Sequence, residues 1–210
     1  MITVESFHPH NLGWLEVQLD DHEIDHLWKC IEEPLQDWKH KLIGQIDSSY
    51  LISDKGDWFF KNVLVELCKN YKDVFFNIGR DFPTTHTHPY TLKEMWVNYQ
   101  KQTEFNPVHS HTGVYSFVVW MQIPTNYNDQ KENPIAKNTN GDVISNFQFN
   151  YMDILGKMQH HAYQMTKKFE GRMLFFPSEL HHCVYPFYNC DRDRISISGN
   201  ICLDTKVIYE

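Results

Sequence analysis

The chain has 210 residues, 41% hydrophobic and 15% aromatic, and a formal net charge of −8. That content suffices to bury a core without staples and excludes an intrinsically disordered chain. The acidic balance, with no basic run anywhere, argues against binding of a phosphate backbone.

Cys30, Cys68, Cys183, Cys190 and Cys202 are odd in number and form no C-x-x-C pair, so reduced thiols of a cytoplasmic protein are expected. The opening MITVESFHPHNLGW has neither a basic n-region nor an apolar h-region. No run reaches the roughly 18 apolar residues of a membrane helix. One domain over 1–210 is expected, with helical and strand support over 1–92 and a β core over 93–204.

Trp14, Leu15, Val17 and Leu19 alternate as in a short strand. Asp20 or Asp21 then caps a helix through Leu42, with Ile24, Leu27, Trp28, Ile31 and Leu35 at helical spacing and Pro34 ending or kinking it. A loop with Gly44, Ser48 and Ser49 leads to Asp57, read as the N-cap of a second amphipathic helix. Phe60, Val63, Leu64, Leu67 and Tyr71 form its apolar face. Both helices are expected to cover a sheet. Residues 79–92 form a polar loop whose His86 and His88 read as surface or substrate-facing.

From Glu94 the period changes to 2, in EMWVNYQ, VYSFVVWMQI, NFQFNYM, HAYQMT, GRMLFFP, HHCVYPF and RISISGNICL. Seven short runs with turn residues between most of them predict a sandwich or jelly-roll barrel. The Asn-rich excursion between Pro124 and Asn146 reads as a lid or a mobile loop.

Two stretches carry chemistry. In NPVHSHTGVYSFVVW, His109 and His111 share one face of an extended backbone, and neutral imidazole is the commonest metal ligand near neutral pH. In GRMLFFPSELHHCVYPFYNCDRDRISISGN, His182 opens a strand and Arg194 follows twelve residues later with Ser196 in phase. An arginine fork beside a hydroxyl suits a carboxylate. Trp96, Tyr99, Phe117, Phe149 and Tyr163 are candidates to line a cavity, although core packing explains them equally.

Five motifs occur in order: Trp96–Asn98 as W-x-N, His109–His111 as H-x-H, Phe176–Ser178 as F-P-S, His182–Pro186 as H-x-V-x-P, and Arg194–Asn200 as R-x-S-x-x-x-N. This order resembles the iron(II)- and 2-oxoglutarate (2OG)-dependent oxygenases. The likeness is greatest to their prolyl-hydroxylase-like branch and to uncharacterised oxygenase-like proteins of phages and marine bacteria. It spans about Glu94–Leu203 and implies a double-stranded β-helix with Fe(II) in its mouth. His109 and His182 would be ligands, and Arg194 would hold the C5 carboxylate of 2OG, with Ser196 assisting and Asn98 within reach. The implied reaction consumes O2, decarboxylates 2OG to succinate and oxidises a substrate C–H bond, usually by hydroxylation.

One departure matters, because the usual carboxylate ligand falls on His111. His111 is read first as a ligand in a three-histidine site, second as a neighbour leaving an open position. In a third register His111 leads and Gly113 stands in the acid's place, as in halogenase variants. A remote acid, Glu104 or Asp153, is a fourth. His182 is preferred to His181 and Arg194 to Arg192 by phase, and His160 and His161 match no motif. Two rivals remain: a cupin-like three-histidine dioxygenase that does not use 2OG, and a non-catalytic jelly-roll module. A small molecule, amino acid or peptide is the expected substrate, and a homodimer is the base-rate assembly.

Overall fold

The computed structural model describes residues 3–6, 11–33 and 36–208; Pro34 and Leu35, expected to end and to line the first helix, lie outside them. In chain order the elements are β1 (Leu15–Gln18), α1 (Asp21–Ile31), β2 (Gln36–Asp37), β3 (Ser48–Ile52), a π turn (Phe60–Leu64) running into α2 (Val65–Val74), β4 (Tyr90–Gln100), β5 (Asn106–His109), β6 (Tyr115–Gln122), α3 (Tyr127–Lys131), β7 (Asn146–Met152), β8 (Met158–Gln164), β9 (Arg172–Pro177), β10 (His181–Val184) and β11 (Arg194–Leu203).

α1 starts in a capping box. The Asp20 carboxylate accepts from Glu23 N and the Glu23 carboxylate from Asp20 N, both at 2.8 Å, which satisfies two orphan amides. The helix stops at Ile31, well short of the expected Leu42, and the chain beyond forms β2 and a 3-10 turn at Lys39–Lys41. A proline at position 34 disfavours helical backbone at the residue before it, which explains an early stop.

Asp54, not Asp57, caps the second helix. Its two carboxylate oxygens accept from Phe59 N at 3.0 Å and Phe60 N at 2.8 Å. Asp57 sits at φ 54° and makes no such cap. The π turn places Phe59 and Leu64, five residues apart, on one fully buried face, while Phe60 is only partly buried.

The strands form two antiparallel sheets, ordered β1-β9-β6-β11-β4-β3-β2 and β5-β10-β7-β8, which make a double-stranded β-helix. All seven expected strands are present. One core packs Leu27, Phe59, Leu64 and Tyr71 of the helices against Tyr115, Phe117, Phe175 and Ile197 of the larger sheet. A second core, with Trp120, Phe147, Phe149 and Phe176, fills the space between sheets. Each such side chain contributes about 1.5–3 kcal/mol on burial. β6 is covered on both sides, so its residues up to Met121 are all buried.

The 124–146 excursion holds α3 and its own small core of Tyr127, Ala136 and Ile144. Gln130 clamps the backbone of Tyr188 through both amide atoms, at 2.9 and 2.8 Å. The five cysteines carry free thiols. Among the described residues no helix is long and apolar enough to cross a membrane.

Candidate metal and co-substrate site

The register of the larger sheet sets up the site. On β4 and β11, Glu94 pairs with Asn200, Trp96 with Ser198, Asn98 with Ser196 and Gln100 with Arg194, and all eight face one cavity. Ile195, Ile197 and Ile201 on β11 alternate onto the helical core. On the opposing sheet, His109 at the end of β5 is the cross-strand partner of His182 on β10. His111 follows in the turn after β5, held by its backbone N–H to Ser178 O at 2.8 Å. The cavity between the sheets measures about 530 Å³, with Trp38, Lys41 and Lys93 among the residues around it.

His109, His111 and His182 each bring a ring nitrogen within 4.8 Å of the others. Their ring centroids lie 4.3–5.1 Å apart. The hydrogen bonds decide which nitrogen each presents. Nδ1 of His109 donates to Pro107 O at 2.8 Å, and Nδ1 of His182 to Leu180 O at 2.9 Å. Nδ1 of His111 lies 3.0 Å from Asn200 Oδ1 and 3.2 Å from Ser116 Oγ. A ring that donates from Nδ1 carries its lone pair on Nε2, the arrangement that metal-binding histidines need. Burial lowers the pKa of all three, with His111 brought to about 4, so the rings are neutral at physiological pH. The donor set therefore fits a divalent cation with a preference for nitrogen ligands.

Arg194 lies across the cavity and is 2% exposed. Its Nη2 donates to Ser145 Oγ at 2.6 Å, and Nη1 makes long contacts of 3.5 Å to Gln100 Oε1 and Tyr185 O. The guanidinium packs 4.9 Å above the Phe187 ring. Among the described residues its Nε has no hydrogen-bond partner and no carboxylate pairs with it. Burial alone pulls its pKa to about 9. A buried cation without a counter-ion is costly, and a carboxylate ligand with two oxygens answers that cost directly. Ser196 lines the same cavity, and Asn98 accepts from Ser49 Oγ at 2.7 Å while its amide nitrogen has no hydrogen-bond acceptor among the described residues.

The structure thus brings His109, His111, His182, Arg194, Ser196 and Asn98 to one cavity. Arg192 and His181 are exposed, as are His160 and the loop residue His86. Glu104 caps a loop by accepting from Asp47 N and Lys101 N, and Asp153 caps the β7–β8 turn, so neither acid reaches the histidines. Gly113, the small residue of the halogenase-like register, does not line the cavity, and a Cβ there would meet Ile201 O at 2.9 Å. Of the five aromatic candidates, Trp96 and Phe117 line the cavity; Tyr99 meets Tyr50 edge to face, and Phe149 and Tyr163 pack in the inter-sheet core. The 124–146 excursion supplies Ser145 to Arg194 and contributes no residue to the cavity lining.

A second group of ligand-type side chains lies on the helical side, where His26 Nε2 is 2.9 Å from Asp54 Oδ1 and 3.5 Å from Cys30 Sγ. Asp54 already holds the helix amides, so this group reads as part of a helix cap.

Residues 94–200 match the model of a family described as "Putative 2OG-Fe(II) oxygenase". The chain belongs to this 2OG-Fe(II) oxygenase family. It is an enzyme whose cofactor is Fe(II) and whose co-substrates are 2OG and O2. Solved structures share its fold. An oxidoreductase of the 2OG-Fe(II) oxygenase family from Burkholderia pseudomallei is 10% identical over 90% of this chain and 84% of its own, with a TM-score of 0.54. A Pseudomonas putida prolyl-4-hydroxylase is 13% identical over 90% and 91%, with a TM-score of 0.51. The alpha ketoglutarate dependent carbocyclase SnoK from nogalamycin biosynthesis is 10% identical over 92% and 80%, with a TM-score of 0.55. Among curated proteins none is significantly similar in sequence.

Proposed function

We propose that this oxygenase oxidises an unactivated C–H bond of a small molecule, amino acid or peptide, most simply by hydroxylation. One O2 is consumed as 2OG becomes succinate and CO2, the second oxygen atom entering the substrate. His109, His111 and His182 would hold Fe(II), and Arg194 would bind the C5 carboxylate of 2OG with Ser145 and Ser196 beside it. When bound, iron supplies the redox chemistry that joins loss of CO2 to substrate oxidation.

The chain's own part is placement. Backbone carbonyls 107 and 180 orient two imidazoles, and Asn200 orients the third. Asn98 offers an amide N–H₂ to the co-substrate, and the apolar walls of Val118, Trp120, Phe147 and Phe176 keep water from the reacting groups. Substrate enters past Trp38, Lys41 and Lys93, and a cavity of about 530 Å³ suits a small molecule or one side chain of a peptide.

The observation that carries this reading is the buried, acid-free guanidinium of Arg194 in the same cavity as three converging neutral imidazoles. Anaerobic titration with Fe(II) and then 2OG tests it. A visible charge-transfer band that needs both is the expected result. Iron binding without the band assigns Arg194 to the substrate's own carboxylate and favours a three-histidine dioxygenase.

A further inference from the structure

Glu94, Asn200 and Ser116 are adjacent in register across β4, β11 and β6, and Ser178 follows just past β9. Their side chains form one connected row. Asn200 Nδ2 donates to Glu94 Oε1 at 2.8 Å, and Ser116 Oγ donates to Asn200 Oδ1 at 2.8 Å. Ser178 Oγ lies 2.9 Å from Ser116 Oγ. Asn200, Ser116 and Ser178 are buried, and the Glu94 side chain is 21% exposed.

The row has a fixed direction. A carboxylate offers only acceptors, so Glu94 obliges the Asn200 amide to turn its NH₂ group outward. Asn200 Oδ1 is thereby left facing His111 Nδ1, 3.0 Å away, and accepts from it. Nδ1 must then bear the proton, and the lone pair must lie on Nε2. Neither the Ser116 hydroxyl, whose proton is committed to Asn200, nor any other described group competes for that nitrogen as a donor.

The geometry points to Glu94 and Asn200 as positioning residues of the metal centre: Glu94 fixes the Asn200 amide, and Asn200 fixes the tautomer and direction of His111. This rests on the reading of His111 as a ligand. It also relocates the missing anion. A site of three neutral imidazoles lacks the negative charge that a carboxylate ligand brings, and Glu94 supplies one two side chains away. Its neighbour Lys93 stands 3.8 Å off and is half exposed, so it offsets that charge weakly. Glu94 does not touch His111; it polarises the Asn200 amide, whose Oδ1 is thereby a stronger acceptor for His111 Nδ1 and raises the basicity of that ring.

Co(II) is the probe, read by its visible absorption in the 2OG-free protein. Glu94→Gln keeps an acceptor for Asn200 and removes the charge. We expect Co(II) affinity to fall on the order of ten-fold while the melting temperature of the metal-free variant stays at the wild-type value. Adding Asn200→Asp to Glu94→Gln restores both hydrogen bonds with the charge one residue nearer, and affinity returns to within a few-fold of wild type. Asn200→Leu removes the acceptor and weakens Co(II) at least as much as Glu94→Gln. Wild-type affinity in Glu94→Gln overturns the inference while leaving the metal centre standing. Failure of the wild-type protein to bind Co(II) or Fe(II) overturns both.

Discussion

Arg194 shows how one residue can be out of balance until its partner arrives. Its charge is fully buried, and among the described residues one donor is orphaned and no acid returns the solvation it lost. Arg194→Met should therefore leave the cofactor-free protein as stable as wild type or more so, while 2OG affinity falls by about 2–5 kcal/mol, roughly thirty- to several-thousand-fold. Calorimetric titration with 2OG and a melting curve read the two halves, and unchanged 2OG affinity refutes the assignment. Alternation put Arg194 on the face of Ser196 and Asn200, but Arg192 shares that phase, and what separates the two is that β11 begins at Arg194 and leaves Arg192 exposed before it. Alternation does separate His182 from His181, because adjacent strand residues point to opposite faces. Ser145 was not legible, because it lies 49 residues before Arg194 and only the fold brings them together. Glu94 and Ser116 did leave a signal: Glu94 is in phase with Trp96 and Asn98, and Ser116 interrupts the apolar run from Val114 to Met121.

At the scale of elements, the site depends on the unbroken pairing of β11 with β4 and β6 from Ser196 to Asn200. Gly199 is the tightest point. A Cβ there would meet the Phe117 ring at 2.7 Å and Glu94 O at 2.9 Å, the second a backbone atom that cannot turn aside. Gly199→Ala is expected to destabilise by about 1–3 kcal/mol through overpacking. It should also weaken Co(II) binding, because the strand displaced carries Glu94 and adjoins Asn200. Denaturant midpoints with an unchanged m-value check the first effect, and a midpoint equal to wild type rejects it. The strands from Glu94 onward were readable because their period-2 pattern matches a sheet covered on at least one face. The first helix was overread, since the helical spacing ran on past Ile31 into residues that form β2 and a 3-10 turn. Asp57 was mistaken for a cap because a π turn, which periodicity does not show, moves the buried face and the cap with it.

For the whole molecule, the burial that readies the imidazoles for a cation also ties stability to pH. His111 falls from an ordinary 6.5 to about 4 in the folded protein, and His109 and His182 are lowered in the same direction. Between pH 6.5 and 4 the unfolded chain binds more protons at these rings than the folded one, so stability is complete above pH 6.5 and is lost as pH falls through that window. At the alkaline end the sign reverses. Burial pushes the Cys68 thiol up from 9.0 to about 12, so the unfolded chain deprotonates first and stability declines above pH 9. The metal-free protein should accordingly melt highest between about pH 7 and 8.5. A divalent cation that binds neutral imidazoles raises the melting temperature across that plateau, and its effect fades toward pH 4 as protons compete for the same lone pairs. Melting curves from pH 4 to 10, in chelator and then with Co(II), measure both. A metal-free melting temperature that does not fall between pH 6.5 and 4 rules out the buried, neutral histidine cluster as a source of acid sensitivity. A metal-induced rise that persists unchanged at pH 4 places the bound ion away from these three rings.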